Sequence, residues 1–425
     1  MQFARGSEAA NSLFHRLLEY SPYLPLVITP AGLALVAWVT RRYFPGSQGS
    51  GIPQTIAALK MHDSDSRDTV LSLKLALAKI PLTLVGLMAG ASVGREGPTV
   101  QIGASFMHYL GKLARFSKVE LDRGLILAGG AAGVAAAFNT PLAGVVFAIE
   151  EMSRSFEEKT SGVVLTAVIL AGVTSVAMLG NYTYFGYTSA SLDIDNGWLA
   201  VLACGVMGGV MGGIFSRVLI ASAKGLPGKF GTFIKQHPIS FAAICGFTLA
   251  IIGLLSNSTT YGTGYQEAQR IISGTATLPD SYGILKMLAS IISYISGIPG
   301  GIFAPSLAIG AGLGSNIASI FPATPGGAII LLGMVAYFSG VVQAPITAFV
   351  IVMEMTDNHE MVIPLMASAI IATVTSRMIC HTPLYKTLAD NFMLRSTAAD
   401  LSPIQKPHEM PEAKHAKEAN AQQQS

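Results

Sequence analysis

Charged residues are scarce in this chain of 425 residues. They make up 12% of it, against about 25% in a typical soluble protein, whereas 51% of the residues are hydrophobic. The formal net charge is only +3, and no basic run carries interleaved aromatic residues. The composition therefore excludes a soluble globular protein and a nucleic-acid partner, and it indicates a chain that lies in a membrane.

Cysteine is almost absent as well. The three cysteines, Cys204, Cys245 and Cys380, stand singly in apolar stretches, and none has the spacing of a redox or metal-binding pair. We interpret them as small buried hydrophobic residues. The eight histidines are dispersed without ligand spacing, so no metal site is predicted.

Motifs of common enzymes are missing too. The glycine-rich segments lack the lysine-serine ending of a P-loop, and the chain has neither a G-x-S-x-G elbow nor an H-E-x-x-H pair. A glutamate acting as acid or base would need a partner nucleophile or metal, and the sequence offers none. We therefore expect no enzymatic activity and no cofactor. The first residues do not show the pattern of a cleaved signal peptide.

Long apolar runs are the positive evidence for a membrane protein. A helix needs about 20 apolar residues to cross the hydrocarbon core, and several runs approach that length, at roughly 23–40, 80–93, 163–180, 197–214, 239–255, 283–298, 327–341 and 361–374. The segments that follow Pro98, Pro141, Pro305 and Pro345 have only about 10–15 residues between breakers. We expect these four to be half-helices buried among their neighbours.

Three landmarks recur in the same order along the chain. Gly94-Arg95-Glu96-Gly97-Pro98 returns as Gly301-Ile302-Phe303-Ala304-Pro305 at an offset of 207 residues. Gly49-Ser50-Gly51 returns as Gly262-Thr263-Gly264 at an offset of 213, and Pro141 and Glu150 return as Pro345 and Glu354 at an offset of 204. The chain therefore consists of two related halves, and substrate sites of such repeats lie where the halves meet.

The boundaries follow from the polar segments. We predict an N-terminal segment at 1–22, a first half at 23–190, a second half at 191–395, and a disordered polar tail at 396–425. Glu150 and Glu354 survive in both halves, although only one half carries a charged landmark loop. This retention favours a packing or capping role for the two glutamates.

Glu96 lies between two glycines, just before Pro98 and a short apolar segment. An ionisable residue within a membrane costs at least about 2.5–3.5 kcal/mol on insertion scales, so it is usually functional or paired. Arg95 is the obvious partner for a structural salt bridge. Because adjacent residues rarely face each other, we favour a functional carboxylate.

The loops around Gly49, Gly94 and Gly300 share one physical logic. Glycine lets the backbone turn, and proline in the first helical turn loses no hydrogen bond, so each loop can end in a helix with free N–H groups. Several such N-termini at one place would bind a dehydrated anion without a full positive charge. The alternative is that glycine and proline merely allow close helix packing.

The four segments Gly49-Ser50-Gly51-Ile52-Pro53, Gly94-Arg95-Glu96-Gly97-Pro98, Gly300-Gly301-Ile302-Phe303-Ala304-Pro305 and Pro383-Leu384-Tyr385 resemble motifs of the CLC family of chloride channels and chloride/proton antiporters. The resemblance covers roughly residues 20–395. It implies an all-α membrane protein with two inverted-topology repeats of tilted and discontinuous helices. It also implies a homodimer with one pore in each subunit.

The resemblance also implies a role for individual residues. Chloride would be bound by the hydroxyls of Ser50 and Tyr385 and by the backbone N–H groups of Ile302 and Phe303. Glu96 would be the gating glutamate: its ionised carboxylate blocks the anion path, and its protonated form swings away. The glycines and prolines of the motifs would line the pore, namely Gly49, Gly51, Pro53, Gly94, Gly97, Pro98, Gly300, Gly301 and Pro305.

Two basic residues match positions of the family that attract anions. Arg95 lies in the Glu96 motif, and Lys79 lies in an apolar stretch where a lysine is otherwise hard to explain. The alternative for Lys79 is a lysine that snorkels to the membrane interface.

Antiporters of the family carry a second glutamate that passes protons towards the gate, whereas channels usually have an apolar residue there. The matching residue is Glu151, which follows the segment Asn139-Thr140-Pro141-Leu142-Ala143-Gly144. We therefore predict proton-coupled chloride exchange, with a passive chloride channel as the alternative. Serine at position 50 is the chloride type within the family, so chloride is the expected anion.

The sequence departs from the family pattern at both ends. Members normally have two helices before the span that begins near Tyr23, and 22 residues cannot hold both, so these helices are expected to be absent or truncated. No nucleotide-binding CBS pair is expected in the short tail. Together these features favour a prokaryotic protein of the cytoplasmic (inner) membrane.

Overall fold

A computed structural model describes residues 2–114, 119–153, 158–180, 183–188, 190–192 and 194–401. Regular structure in these ranges is helical, apart from two isolated bridges between loops. The all-α prediction is therefore confirmed. Residues 402–425 of the predicted disordered tail lie outside the described ranges.

The α-helices of the described residues are numbered in chain order. They are α1 (Gln2–Tyr20), α2 (Pro25–Tyr43), α3 (Ile52–Lys60), α4 (Ser64–Leu71), α5 (Leu73–Met88), α6 (Glu96–Leu113), α7 (Val119–Phe138), α8 (Pro141–Phe147), α9 (Glu158–Leu179), α10 (Ile194–Lys224), α11 (Gly228–Gln236), α12 (Pro238–Leu255), α13 (Tyr265–Ile272), α14 (Tyr282–Ile295), α15 (Phe303–Ile320), α16 (Gly326–Val342), α17 (Pro345–Thr356), α18 (Val362–Ile379) and α19 (Leu384–Leu401). A π-helix, Ala148–Ser153, continues directly from α8.

Six stretches of the described residues are long and apolar enough to cross a membrane. They are Ser64–Met88, Leu121–Phe138, Gly197–Lys224, Pro238–Leu255, Phe303–Ile320 and Val362–Ile379. Shorter apolar helices accompany them, as expected for a fold that contains discontinuous helices.

The predicted half-helices are partly wrong in length. α8 and α17 are short, with 7 and 12 residues, but α6 and α15 have 18 residues each. The reason is that internal glycines, which the sequence presents as breakers, instead allow close helix contacts. A Cβ atom on Gly103 of α6 would lie 2.2 Å from the carbonyl oxygen of Gly129 on α7. A Cβ atom on Gly310 of α15 would lie 2.7 Å from that of Gly333 on α16.

The two halves meet at the starts of their longest matched helices. α6 and α15 have equal length and begin 207 residues apart, the offset of their landmark loops. The N–H of Gly94 donates to the carbonyl of Gly301 at 2.7 Å, and the N–H of Gly301 donates back to the carbonyl of Gly94 at 2.6 Å. A reciprocal pair between equivalent residues is the contact that a two-fold relation between the halves produces.

A second reciprocal contact involves Glu150 and Glu354. The Glu354 carboxylate accepts from the N–H groups of Leu142 and Ala143 at the start of α8, at 3.1 and 2.6 Å. Glu150 accepts from Ile346 and Thr347 at the start of α17, at the same two distances. Each glutamate thus caps a helix of the other half. The predicted capping role is confirmed.

Gly103→Ala should destabilise the fold, because the added methyl group would meet the backbone of α7 rather than a movable side chain. Overpacking of this kind costs roughly 1–3 kcal/mol, and the measurement is the midpoint of thermal unfolding in detergent. The matched control is Gly162→Ala on α9, where a Cβ atom meets nothing within 4 Å. Equal midpoints for the two variants would contradict the close contact of α6 with α7.

Candidate anion-binding site

Three of the landmark loops are bonded to one another. Besides the reciprocal pair of Gly94 and Gly301, the N–H of Gly49 donates to Ile298 and the N–H of Gly300 donates to Gly49, both at 3.1 Å. The loops that precede α3, α6 and α15 therefore form one cluster. The structure brings together residues that lie up to about 250 positions apart in the sequence.

Two glycines allow this approach. Gly51, the residue before α3, has φ 105°, which is a left-handed conformation that favours glycine. Gly97 lies against the neighbouring loop, where a Cβ atom would be 2.2 Å from Ser50 Oγ and 2.8 Å from the Ser50 carbonyl oxygen. The glycines of the motifs are thus required for contact between loops, as well as for the helix starts.

The hydroxyls of Ser50 and Tyr385 meet at this cluster. Both side chains are fully buried, and Tyr385 lies in the first turn of α19. The two hydroxyls interact with each other, yet the described residues offer neither of them a hydrogen bond of regular geometry. Because buried polar groups are normally satisfied, these hydroxyls have donor capacity for a ligand.

The start of α15 supplies backbone donors. Ile302 precedes the helix and Phe303 is its first residue, so their N–H groups are among those that a helix leaves without internal partners. The Phe303 ring is held by four aromatic neighbours. Its centroid lies 6.1 Å from Phe138, 5.7 Å from Phe147, 4.8 Å from Phe338 and 5.8 Å from Tyr385. This packing fixes the direction of the backbone donors.

Glu96 is the first residue of α6, and its side chain is 1% exposed. The backbone N–H groups of Arg95, Glu96 and Ala304 act on its carboxylate, although none forms a hydrogen bond of regular geometry. Ala304 belongs to α15, so the carboxylate lies where the starts of α6 and α15 face each other. A carboxylate at that place occupies the position an anion would take.

Arg95 turns away from its neighbour Glu96 towards the N-terminal helix. Its Nη1 donates to the carbonyl of Ala4 at 2.7 Å, to Ser7 Oγ at 2.9 Å and to Glu8 Oε1 at 3.1 Å. The guanidinium is therefore engaged by α1, and it acts on Glu96 through space.

Lys79 is fully buried, which excludes the alternative of a snorkelling lysine. Its Nζ donates to Gln101 Oε1 at 2.6 Å, and Gln101 Nε2 donates to the carbonyl of Val70 at 2.6 Å. Gln101 adjoins the anion cluster, since a Cβ atom on Gly51 would lie 3.0 Å from its Oε1. The ammonium group is thus one side chain away from the loop that carries Ser50.

Lys286 is the counterpart of Lys79 in the second half, again 207 residues later. It is also fully buried, but its Nζ donates to three carbonyls, those of Thr260, Tyr261 and Gly262, at 2.9, 3.3 and 2.8 Å. In the first half, the carbonyls of Gly46 and Gln48 accept instead from Gln54. Gln54 therefore leaves the charge of Lys79 available to the anion site.

Glu151 lies on the π-helix that follows α8, and it is buried. The charges of Glu151 and Glu96 both act on Tyr385, so the two glutamates flank the tyrosine. A π-helical turn is rare and is frequent at functional sites. Here Glu150 reaches α17, while its neighbour Glu151 is buried inside the first half's core.

A cavity of about 770 Å³ reaches the anion cluster at Gly49 and Tyr294. The charged residues of its lining are all basic: Arg41, Lys224 and Lys235. A cleft with charge of one sign concentrates ions of the other sign. The cavity therefore provides an entrance suited to anions.

Sequence reasoning missed Gln101 and Lys286. The offset of 207 residues that relates Gly94 to Gly301 also relates Lys79 to Lys286, and this signal could have identified the second lysine. No comparable signal identifies Gln101, whose role depends on the approach of α5 to α6.

Comparison with known proteins assigns this architecture. The family model described as voltage gated chloride channel matches residues 32–377. The H(+)/Cl(-) exchange transporter ClcA of Citrobacter koseri is 31% identical over 415 residues, which cover 92% of this chain and 84% of that protein. The crystal structure of a slow cyanobacterial Cl-/H+ antiporter has a TM-score of 0.77 and 27% identity, with 93% of each chain covered. A CLC-type fluoride/proton antiporter shares the fold, with a TM-score of 0.75, 21% identity, and 90% of this chain and 93% of that chain covered.

Lys79→Met should weaken anion binding without unfolding the protein, since methionine has a similar length and no charge. Charge pairs at an effective dielectric constant of about 20 contribute on the order of 1–4 kcal/mol, so we expect the KM for chloride to rise roughly tenfold in reconstituted vesicles. The control is Lys229→Met, which removes an exposed lysine of α11. An unchanged KM for Lys79→Met would show that the buried charge does not act on the site.

Proposed function

The chain belongs to the voltage-gated chloride channel family, and on that premise we propose that it exchanges chloride for protons across a membrane. It is a transporter and not an enzyme. The observation that carries the proposal is the pair of buried glutamates, Glu96 and Glu151, on either side of Tyr385. The exchange-transporter relative at 31% identity supports antiport over a channel.

Chloride is bound between the hydroxyls of Ser50 and Tyr385 and the N–H groups of Ile302 and Phe303. The burial of both hydroxyls supports this assignment, because each would otherwise lose hydrogen bonding on leaving water. Backbone dipoles and hydroxyls hold an anion without a full opposite charge. The anion can therefore leave again, as transport requires.

Glu96 is the gate. When it is ionised, its carboxylate competes with chloride for the helix starts of α6 and α15. When it is protonated, the neutral side chain loses its attraction to these N–H groups and moves away, so chloride enters. Each opening of the anion path thus requires a proton on Glu96, which couples the two ions.

Glu151 transfers protons between the solution and the gate. A carboxylate surrounded by apolar residues is costly unless it has a function, and Glu151 lies beside Met152 and Ala148 in the packed core. Protons reach Glu96 by way of Glu151, while chloride travels past Ser50 and Tyr385. A passive channel does not need this second carboxylate.

Glu151→Gln should abolish proton movement and retain chloride flux, because glutamine occupies a similar volume but cannot carry a proton. The measurement is proton uptake driven by a chloride gradient in vesicles, with chloride efflux recorded in parallel. The matched control is Glu150→Gln, which alters the adjacent helix cap and should preserve coupling. Proton movement that persists in Glu151→Gln would identify another proton carrier.

Glu96→Ala serves as the second comparison. It removes the gate itself, so we expect chloride flux that is independent of pH and is not coupled to protons. Coupled, pH-dependent flux in this variant would contradict the gating role of Glu96. Chloride flux without proton movement in the unmodified protein would favour the passive channel.

The chain is a multi-pass membrane protein, and we place it in the cytoplasmic membrane of a prokaryote. We also propose a homodimer with a separate pore in each subunit, as the family resemblance implies. Apolar side chains exposed on α9 and α18, such as Ile169, Val173, Ile370 and Val374, provide surfaces that lipid or a second copy can cover.

The homodimer predicts a protein mass of twice 44.4 kDa in mild detergent. Light scattering coupled to size exclusion, corrected for bound detergent, measures this mass. The functional counterpart is a mixed dimer of one unmodified subunit and one Glu96→Ala subunit, in which half of the flux should remain coupled. A protein that is active at the mass of one chain would contradict the proposal.

A further inference from the structure

We propose that α1 positions the gate, and that Glu8 is the residue through which it does so. Glu8 and Ser7 hold the guanidinium of Arg95, and Arg95 holds the loop that begins α6. This inference rests on the proposed gating role of Glu96. It assigns a role in transport to a helix that carries no motif of the ion site.

The contact is built from three acceptors on successive positions of α1. Arg95 is 7% exposed, and its Nη1 donates to Ala4, Ser7 and Glu8. Ser7 is itself buried and donates its hydroxyl to the carbonyl of Ala4 at 3.1 Å. The Glu8 side chain is 60% exposed, so it links the buried guanidinium to the surface.

α1 also contacts the other end of the segment that leads to the gate. Phe14 is fully buried and packs edge-on against Tyr261, with ring centroids 4.8 Å apart. A Cβ atom on Gly90 would lie 2.5 Å from Phe14 Cζ, so the glycine makes room for the ring. The segment from Gly90 to Arg95, between α5 and α6, is therefore held by α1 at both ends.

The second half is bound by the same helix. A Cβ atom on Gly262 would lie 2.0 Å from Asn11 Oδ1, so α1 packs against the loop that corresponds to Gly49 in the first half. α1 thus spans a loop of each half. A shift of α1 would move the Glu96 loop relative to the second half.

Charge makes the contact relevant to gating. The groups whose charges act on Arg95 are Tyr184, Glu96 and Glu8, and Tyr385 lies near Glu96. Arg95 is therefore shared between two carboxylates, one fixed at the surface and one that moves. Because Glu8 attracts the guanidinium from the side of α1, it weakens the hold of Arg95 on ionised Glu96 and so favours opening.

Glu8→Gln should shift the dependence of coupled chloride flux on pH towards lower pH. Without the Glu8 charge, Arg95 stabilises ionised Glu96 more strongly, and more protons are needed to open the gate. A partly exposed ion pair predicts a shift of roughly 0.2–0.7 pH unit. The measurement is chloride flux of the full chain in vesicles between pH 4 and 8, and an unshifted profile would overturn the inference.

Three controls separate positioning from general damage. Glu19→Gln removes an exposed carboxylate from the same helix and should leave the profile unchanged. Glu8→Asp keeps the charge and should restore most of the original profile; a shift equal to that of Glu8→Gln would overturn the role of the charge. In a Glu96→Ala background, Glu8→Gln should have no effect on flux, because no gate remains to be positioned.

Salt gives a test on the unmodified protein. Exposed charge pairs are largely screened at 1 M salt, so impermeant sodium gluconate should shift the profile of the unmodified protein in the direction of Glu8→Gln, and should shift that variant less. Equal salt responses would overturn the inference even if the variant folded poorly. The proposed function fails separately, if Glu96→Ala itself retains coupled flux.

Discussion

The pair of hydrogen bonds between Gly94 and Gly301 is the contact on which the site depends. It sets the starts of α6 and α15 against each other, and the loop at Gly49 is bonded to the same cluster through Ile298 and Gly300. Free N–H groups of separate helices would be costly to bury individually. Gathered at one place, they create a region that requires negative charge. The Glu96 carboxylate and a transported anion can both supply that charge, and their competition is the basis of gating.

The halves share a backbone plan and differ in side chains at the positions that matter. Glu96 is replaced by Phe303, whose ring is packed among aromatic neighbours and cannot leave. Lys79 is replaced by another lysine, yet Lys286 is bound to three carbonyls while Lys79 donates to a neutral amide. One half thus contributes a movable acid and an available positive charge, and the other half contributes a rigid set of donors.

The sequence was sufficient to predict the membrane fold, the two halves and the meeting of the glycine loops, because glycine and proline determine local backbone geometry. It misjudged the lengths of α6 and α15, since a glycine that breaks a helix and one that admits a neighbouring helix look alike. It also placed Arg95 in the pore on the basis of its motif. The direction of that side chain depends on Ala4, Ser7 and Glu8, which lie almost 90 positions earlier and carry no motif.

The exchanged caps of Glu150 and Glu354 bear on how the chain reaches its native state. α8 emerges from synthesis about 200 residues before the glutamate that caps it, and α17 depends in turn on a glutamate made long before. Until the second half arrives, the start of α8 retains unsatisfied N–H groups in a membrane that cannot solvate them. The first half is therefore an incomplete folding unit, and the two halves of this duplicated chain can no longer be separated into independent proteins.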